Sequence, residues 1–282
     1  MSIFRRHTKR RAAIIFLLVI LSGSLVAAAS VLPDIRSTAI YAQVWPTVYP
    51  YSAAFRARAK AGYVEVENMK TGLWYLQDYH SVDYNQTNGL RDTYNQPTSA
   101  PHTLYVYGDS TVEGFALPDA DTLPSKLQAL TRAYRVVNMG LSGTDTNVSL
   151  LKLKQTTPNP GDLIVFYSGI SDEHEPKFCA NAAKARQYSE AHGATFVIAL
   201  EPYLYSTSLS EWEQALADRA KDKSDYYSSY SDYRQCADVD LSHALDAVRH
   251  SGVDVYFDEW HLSAQGNTLI ARALWNKIAP EF

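Results

Sequence analysis

Thr103-Leu104-Tyr105-Val106-Tyr107-Gly108-Asp109-Ser110 is an apolar run of strand type, broken at once by a glycine and two small polar residues. Short apolar runs closed by turn residues read as strands buried on both faces. From here the chain alternates. Leu123 to Arg132 reads as a helix, Tyr134 to Asn138 as a strand, Thr146 to Gln155 as a helix and Asp162 to Tyr167 as a strand. Glu175 to His192 reads as a helix stopped by Gly193, and Ala194 to Leu200 as a strand. Ser263 to Ile278 reads as an amphipathic helix with Leu269, Ile270, Ala273, Leu274 and Ile278 on one face. A fifth strand is either Ala237 to Leu241 or Val253 to Phe257. Strands alternating with helices predict an α/β domain over residues 102–282, with a parallel sheet of about five strands and helices on both faces.

Working outward, residues 33–101 form an N-terminal extension rich in Tyr, Asn, Gln and Pro, expected to pack on that domain. Asn88-Gly89 within it reads as a turn. Before it, Arg5, Arg6, Lys9, Arg10 and Arg11 sit in a basic stretch, residues 1–11, followed by an uncharged run, residues 12–32. A helix of that length spans about 30 Å, a bilayer core. The charges predict a cytoplasmic N-terminus and an exported remainder, with 12–32 either a retained anchor or a signal peptide cleaved after Ala27-Ala28-Ala29. The expected location is therefore extracytoplasmic: inner-membrane anchored and facing the periplasm, or secreted.

A net charge of −4 leaves no basic face for nucleic acid. Cys179 and Cys236 are the only cysteines. In an oxidising compartment they are free to bridge; the alternative is two buried thiols.

Parallel sheets bind ligands beyond the carboxyl ends of their strands. Four segments fall at such ends or on one late loop: Gly108-Asp109-Ser110, Asn138 to Thr144, Ser168-Gly169-Ile170-Ser171-Asp172, and Asp258-Glu259-Trp260-His261. In this combination and order they resemble the four blocks of the SGNH (GDSL) hydrolases, over residues 103 to 278. The resemblance implies a flavodoxin-like sheet and serine ester hydrolysis without cofactor or metal. By that resemblance Ser110 is the nucleophile, His261 the base and Asp258 its carboxylate partner. The backbone N–H groups of Ser110 and Gly143 would hold the oxyanion. The family's third donor is an asparagine in G-x-N-D; here the block reads Gly169-Ile170-Ser171-Asp172, so the Ser171 hydroxyl is the expected substitute. Ser110 lies in G-D-S-T-V-E-G and not in G-x-S-x-G, which sets the chain apart from α/β-hydrolases.

The stretch 202–236 is long for a connection and holds Tyr203, Tyr205, Trp212, Tyr226, Tyr227, Tyr230 and Tyr233. It is read either as a lid whose aromatic rings face sugars or as an insertion whose aromatic rings pack on the domain. The resulting expectation is de-O-acylation, chiefly deacetylation, of an envelope or extracellular glycan. O-acyl transfer to a polysaccharide alongside envelope-modification partners, a lipase or lysophospholipase, and a non-catalytic binding module are the alternatives. Asp172 to Glu175 lack metal-ligand spacing and read as a solvated loop.

Overall fold

A computed structural model describes residues 78–172, 177–204, 209–210, 213–214, 216–217, 230–258 and 260–279. The run 12–32 lies outside the described residues, as do Tyr205, Trp212, Tyr226 and Tyr227. Among the described residues no helix is long and apolar enough to cross a membrane.

A short hairpin comes first: β1 (Gln86–Thr87) and β2 (Leu90–Arg91) pair antiparallel around Asn88-Gly89. The main sheet follows, built from β3 (His102–Tyr107), β4 (Tyr134–Asn138), β5 (Leu163–Ser168), β6 (Thr195–Leu200) and β7 (Val239–Asp240). The strand order is β4-β3-β5-β6-β7 and every pairing is parallel. This is the flavodoxin-like order, and it reverses direction between β3 and β5. All six residues of β5 are buried, as a central strand covered on both faces requires.

The described helices include α1 (Ser110–Glu113), α2 (Leu123–Gln128), α3 (Thr146–Gln155), α4 (Phe178–Ala191), α5 (Tyr230–Tyr233) and α6 (Ala264–Ile278), with a 3₁₀ turn at Asp119–Asp121 before α2. Ile164 and Phe166 pack with Leu150 and Leu153 of α3 and with Phe178 and Ala182 of α4. Their neighbours Val165 and Tyr167 alternate to the opposite side, buried as well. Helices α2 and α6 pack on each other.

One open choice is settled, in favour of the Ala237 to Leu241 segment, and two details differ from the sequence reading. The fifth strand is Val239–Asp240; among the described residues Val253 to Phe257 does not join the sheet, and Tyr256 forms an isolated antiparallel bridge to Leu262. That segment is apolar because Val255, Tyr256 and Phe257 are buried. Helix α2 ends at Gln128, whose side chain turns back to accept from Val136 N and donate to the Tyr134 and Thr131 carbonyls. Together with Gln96 Nε2, which donates to Val136 O, it occupies the open edge of β4 and blunts strand addition there. The buried face of α6 is Gly266, Asn267, Ile270, Ala271 and Leu274, turned away from Ala273. A Cβ on Gly266 would meet Val255 O at 2.3 Å, and Asn267 Nδ2 donates to Asp121 O; close approach and a polar anchor, not hydropathy, set this face.

Cys179 and Cys236 form a disulfide that ties the first turn of α4 to the segment entering β7. A loop of 57 residues corresponds to about 4 kcal/mol in the chain-entropy account. Tyr230 and Tyr233 are buried at 2% and 5% exposure, so they pack inward instead of facing a ligand. Tyr233 stacks on Phe178 and donates to Asp172 O.

Candidate active site

The site begins where β3 ends. Gly108 is obligatory because a Cβ there would lie 2.4 Å from Tyr167 O. Asp109 then caps α1, its Oδ1 accepting from Thr111 N at 2.7 Å. This puts Ser110 at the first position of a one-turn helix beside the point where the strand order reverses.

The loop 257–261 is closed by Phe257 N donating to His261 O, next to the Tyr256–Leu262 bridge. Asp258 Oδ1 accepts from Trp260 N at 2.8 Å and His261 N at 2.6 Å, which leaves Oδ2 for the imidazole. His261 Nδ1 lies 2.7 Å from Asp258 Oδ2, and Nε2 lies 2.9 Å from Ser110 Oγ. Phe115 stacks on the imidazole, with centroids 4.6 Å apart and planes 22° apart. Ser110, Asp258 and His261 are thus brought into one hydrogen-bonded line from two separate segments, the start of α1 and the loop 257–261.

Gly143 follows β4 with φ of +72°, a left-handed conformation that glycine adopts without penalty. Among the described residues the backbone N–H groups of Ser110 and Gly143 have no acceptor. The loop carrying Gly143 is laced to α1. Gly140 passes so close that a Cβ would meet Glu113 N at 2.2 Å. Asn138 Nδ2 donates to the carbonyls of Val112 and Glu113, while its Oδ1 accepts from Gly140 N. Glu113 Oε2 accepts both Ser142 N at 2.7 Å and Ser142 Oγ at 2.6 Å.

Ser171, the expected third oxyanion donor, lies against Asp109. Its hydroxyl donates to Asp109 Oδ2, so its one hydrogen is committed to the carboxylate that caps α1. Beside it, Glu201 at the end of β6 accepts from Ile170 N at 2.8 Å and the Thr111 hydroxyl at 2.9 Å, which locks the turn after β5 to α1. Burial pushes Glu201 well above the usual carboxylate range, and the Asp109 charge adds to this. Burial likewise raises Asp172 to about 7, against the hydrogen bonds it accepts from Thr146 N and Oγ1; among the described residues its Oδ2 has no partner. Raised from 3.8, this carboxyl stabilises the fold fully below about pH 4, and that contribution is lost as pH rises through about 7. Asp172→Asn is therefore expected to match the wild type near pH 4 and to gain about 2–4 kcal/mol on it by pH 8, read by urea unfolding at the two pH values. Equal gaps at both would refute the assignment.

Sequence reasoning overlooked Glu113, Glu201 and Phe115. Glu113 had a signal, an acid three residues after Ser110 and followed by glycine, but acidic side chains are ordinarily read as solvated. Among the described residues no group of three His, Cys, Asp or Glu is placed to hold a metal ion.

A family model for GDSL-like lipases/acylhydrolases matches residues 106–269, more than half of the chain and every residue of the site. The chain belongs to this family. It is accordingly a GDSL-type carboxylic ester hydrolase, with the site at the strand ends where its fold places ligands. No curated protein matches the hydrolase. Among solved structures it is similar to a G-D-S-L lipolytic protein from Veillonella parvula, with 17% identity over 64% of this chain and 100% of that one, TM-score 0.48. A putative G-D-S-L lipolytic protein from Desulfitobacterium hafniense gives 17%, 62%, 99% and 0.44. An acetylxylan esterase from Geobacillus stearothermophilus gives 18%, 65%, 96% and 0.42.

Proposed function

We propose that the hydrolase removes O-acyl groups, acetyl foremost, from an envelope or extracellular glycan through an acyl-enzyme on Ser110. The observation that carries this is the line Asp258 Oδ2–His261 Nδ1, His261 Nε2–Ser110 Oγ, at 2.7 and 2.9 Å. With Nδ1–H given to the carboxylate, Nε2 accepts the serine proton as Oγ attacks the ester carbonyl. The oxyanion is held by the N–H groups of Ser110 and Gly143. His261 then protonates the leaving alcohol, and water attacks the acyl-serine by the same route in reverse. The extracytoplasmic setting is supported by the basic and apolar pattern of residues 5–32 and by the disulfide. The glycan substrate is supported by that setting and by the aromatic residues of 202–236 other than Tyr230 and Tyr233.

The test is labelling of the full chain with a fluorophosphonate probe, mapped by mass spectrometry, alongside p-nitrophenyl acetate and acetylated oligosaccharides as substrates. Label on Ser110 and free acetate from the oligosaccharide are expected. Label elsewhere removes the nucleophile assignment. Acetate moved onto a second glycan, in place of release, makes the protein a transferase.

Glu113 has a derived part in this scheme. Without its carboxylate, Ser142 N–H and Oγ–H lose their shared acceptor Oε2, and Gly143 N–H loses that support for its direction. Losing one oxyanion donor costs about 10²–10³ in rate. Glu113→Ala is expected to lower kcat by about 10²-fold and to weaken a trifluoromethyl ketone inhibitor in step, with KM nearly unchanged. A fall confined to KM would show that the loop binds substrate instead.

A further inference from the structure

We infer that Arg91, which lies outside the family domain, is a positioning residue for His261, acting through the turn Gly114–Leu117 and the Phe115 ring. This rests on the reading of His261 as the base.

The hairpin supplies the side chain. Asn88 and Gly89 take φ of +54° and +78°, the two left-handed positions of a tight hairpin turn, and the register sets Gln86 opposite Arg91. Arg91 is then 1% exposed. A guanidinium out of water is tolerated only where its charge and donors are used. Here Nε donates to Asp119 Oδ1 at 2.8 Å, Nη2 lies 2.8 Å from the same oxygen, and the plane sits 3.6 Å over the centre of the Tyr84 ring. Asp119 is fixed in turn by Asn85, through its N–H at 3.1 Å and its Nδ2 at 2.5 Å.

The remaining donors reach across to the chain that leaves α1. Nη2 donates to Leu117 O at 2.8 Å and Nη1 to Gly114 O at 3.3 Å. These are the last and first carbonyls of one turn, in which Leu117 N also donates to Gly114 O. Gly114 has φ of +85° and Ala116 φ of +59°. An alanine in the left-handed region persists only where its surroundings impose it. The fork of Arg91 is such a constraint, gripping the turn on both sides of Phe115. Phe115 in turn covers one face of His261 at 4.6 Å. A hairpin that the family model does not cover thus reaches the base ring through one side chain and one turn.

Lysine cannot replace this. It has no planar fork to hold a carboxylate and two carbonyls at once, and no flat face for Tyr84. The effect should fall on the alignment of Nε2 with Ser110 Oγ, hence on kcat, since misplacement on the scale of 1 Å can cost about 10²-fold.

The experiment uses the full chain as wild type, Arg91→Lys, Phe115→Leu and the double variant. Rates on p-nitrophenyl acetate are normalised to sites titrated with the fluorophosphonate. The imidazole proton resonances of His261, assigned with His261→Gln, are recorded beside them. Arg91→Lys is expected to lower kcat by about 10–10²-fold with KM within about twofold. The double variant should be no slower than Phe115→Leu alone, and the His261 resonances should move downfield as the Phe115 ring leaves. Wild-type kcat and unmoved resonances in a folded Arg91→Lys would overturn the proposal, as would losses that multiply in the double variant. Should Arg91→Lys fail to fold, Phe115→Leu decides: wild-type kcat in that variant refutes the route through the ring. The two readings stay separable. A wild type that neither turns over nor labels removes the catalytic role, while the His261 resonances still report whether Arg91 holds the ring.

Discussion

Ser110→Ala is expected to lower kcat for ester hydrolysis by about 10⁶-fold, leaving a residue of about 10³–10⁴ over the uncatalysed reaction. The size follows from the geometry. Ser110 Oγ is hydrogen-bonded to His261 Nε2 at 2.9 Å, and the α1 cap is supplied by Asp109 and not by Ser110. Removing the hydroxyl therefore deletes the nucleophile and leaves the fold intact. The N–H groups of Ser110 and Gly143 survive the change and account for the residue. Because serine and imidazole act as one unit, Ser110→Ala/His261→Ala should be no slower than either single variant. The variants are compared by initial rates and by thermal melting, with Tm expected within a few degrees of the wild type. A folded Ser110→Ala that keeps a tenth of the activity would remove the acyl-serine from the mechanism.

That this much could be read before any coordinates has a physical reason. β5 shows in the sequence as Leu-Ile-Val-Phe-Tyr because both faces of the strand are covered, and burial on both faces leaves an unbroken apolar run. The segments after β3 and β5 and the loop at 257–261 stand out because they interrupt such runs with small or polar residues. What escaped is whatever depends on a partner distant in the chain. Ser171 is of a type that can donate, but nothing local reveals that its acceptor is Asp109, 62 residues earlier. The disulfide closes over 57 residues and depends on where α4 and β7 fall in space. β7 is two residues long, so the more apolar Val253 to Phe257 competed with it on pattern alone. Arg91 and Glu113 are charged, and charge in a sequence suggests solvent; both are buried because acceptors or donors 23 to 29 residues away satisfy them. The lid reading divided along the same lines. Tyr230 and Tyr233 belong to the core against Phe178, whereas Tyr226 and Tyr227 lie outside the described residues.

Asp258→Asn is expected to lower kcat by about 10⁴-fold while hardly changing stability, and the reason lies in how the carboxylate is divided. Its Oδ1 accepts two backbone N–H groups, from Trp260 and His261, and its Oδ2 faces Nδ1. In the asparagine the oxygen must stay with the two N–H groups, because turning the amide would oppose three donors to one another. The NH₂ then faces Nδ1 and donates to it. The imidazole responds by carrying its proton on Nε2, where it points at Ser110 Oγ and cannot accept the serine proton. The geometry survives and the tautomer is wrong. Asp258→Ala makes the contrast. It leaves the ring free to take either tautomer, but it strips two N–H groups of their acceptor, at about 1–3 kcal/mol each where they are buried. The asparagine variant should therefore be at least as slow as the alanine variant and clearly the more stable of the two. Rates at substrate saturation and urea unfolding of both proteins give the comparison. If alanine is slower and asparagine is nearly wild type, Asp258 serves the turn at 257–261 alone, and the base works without a carboxylate.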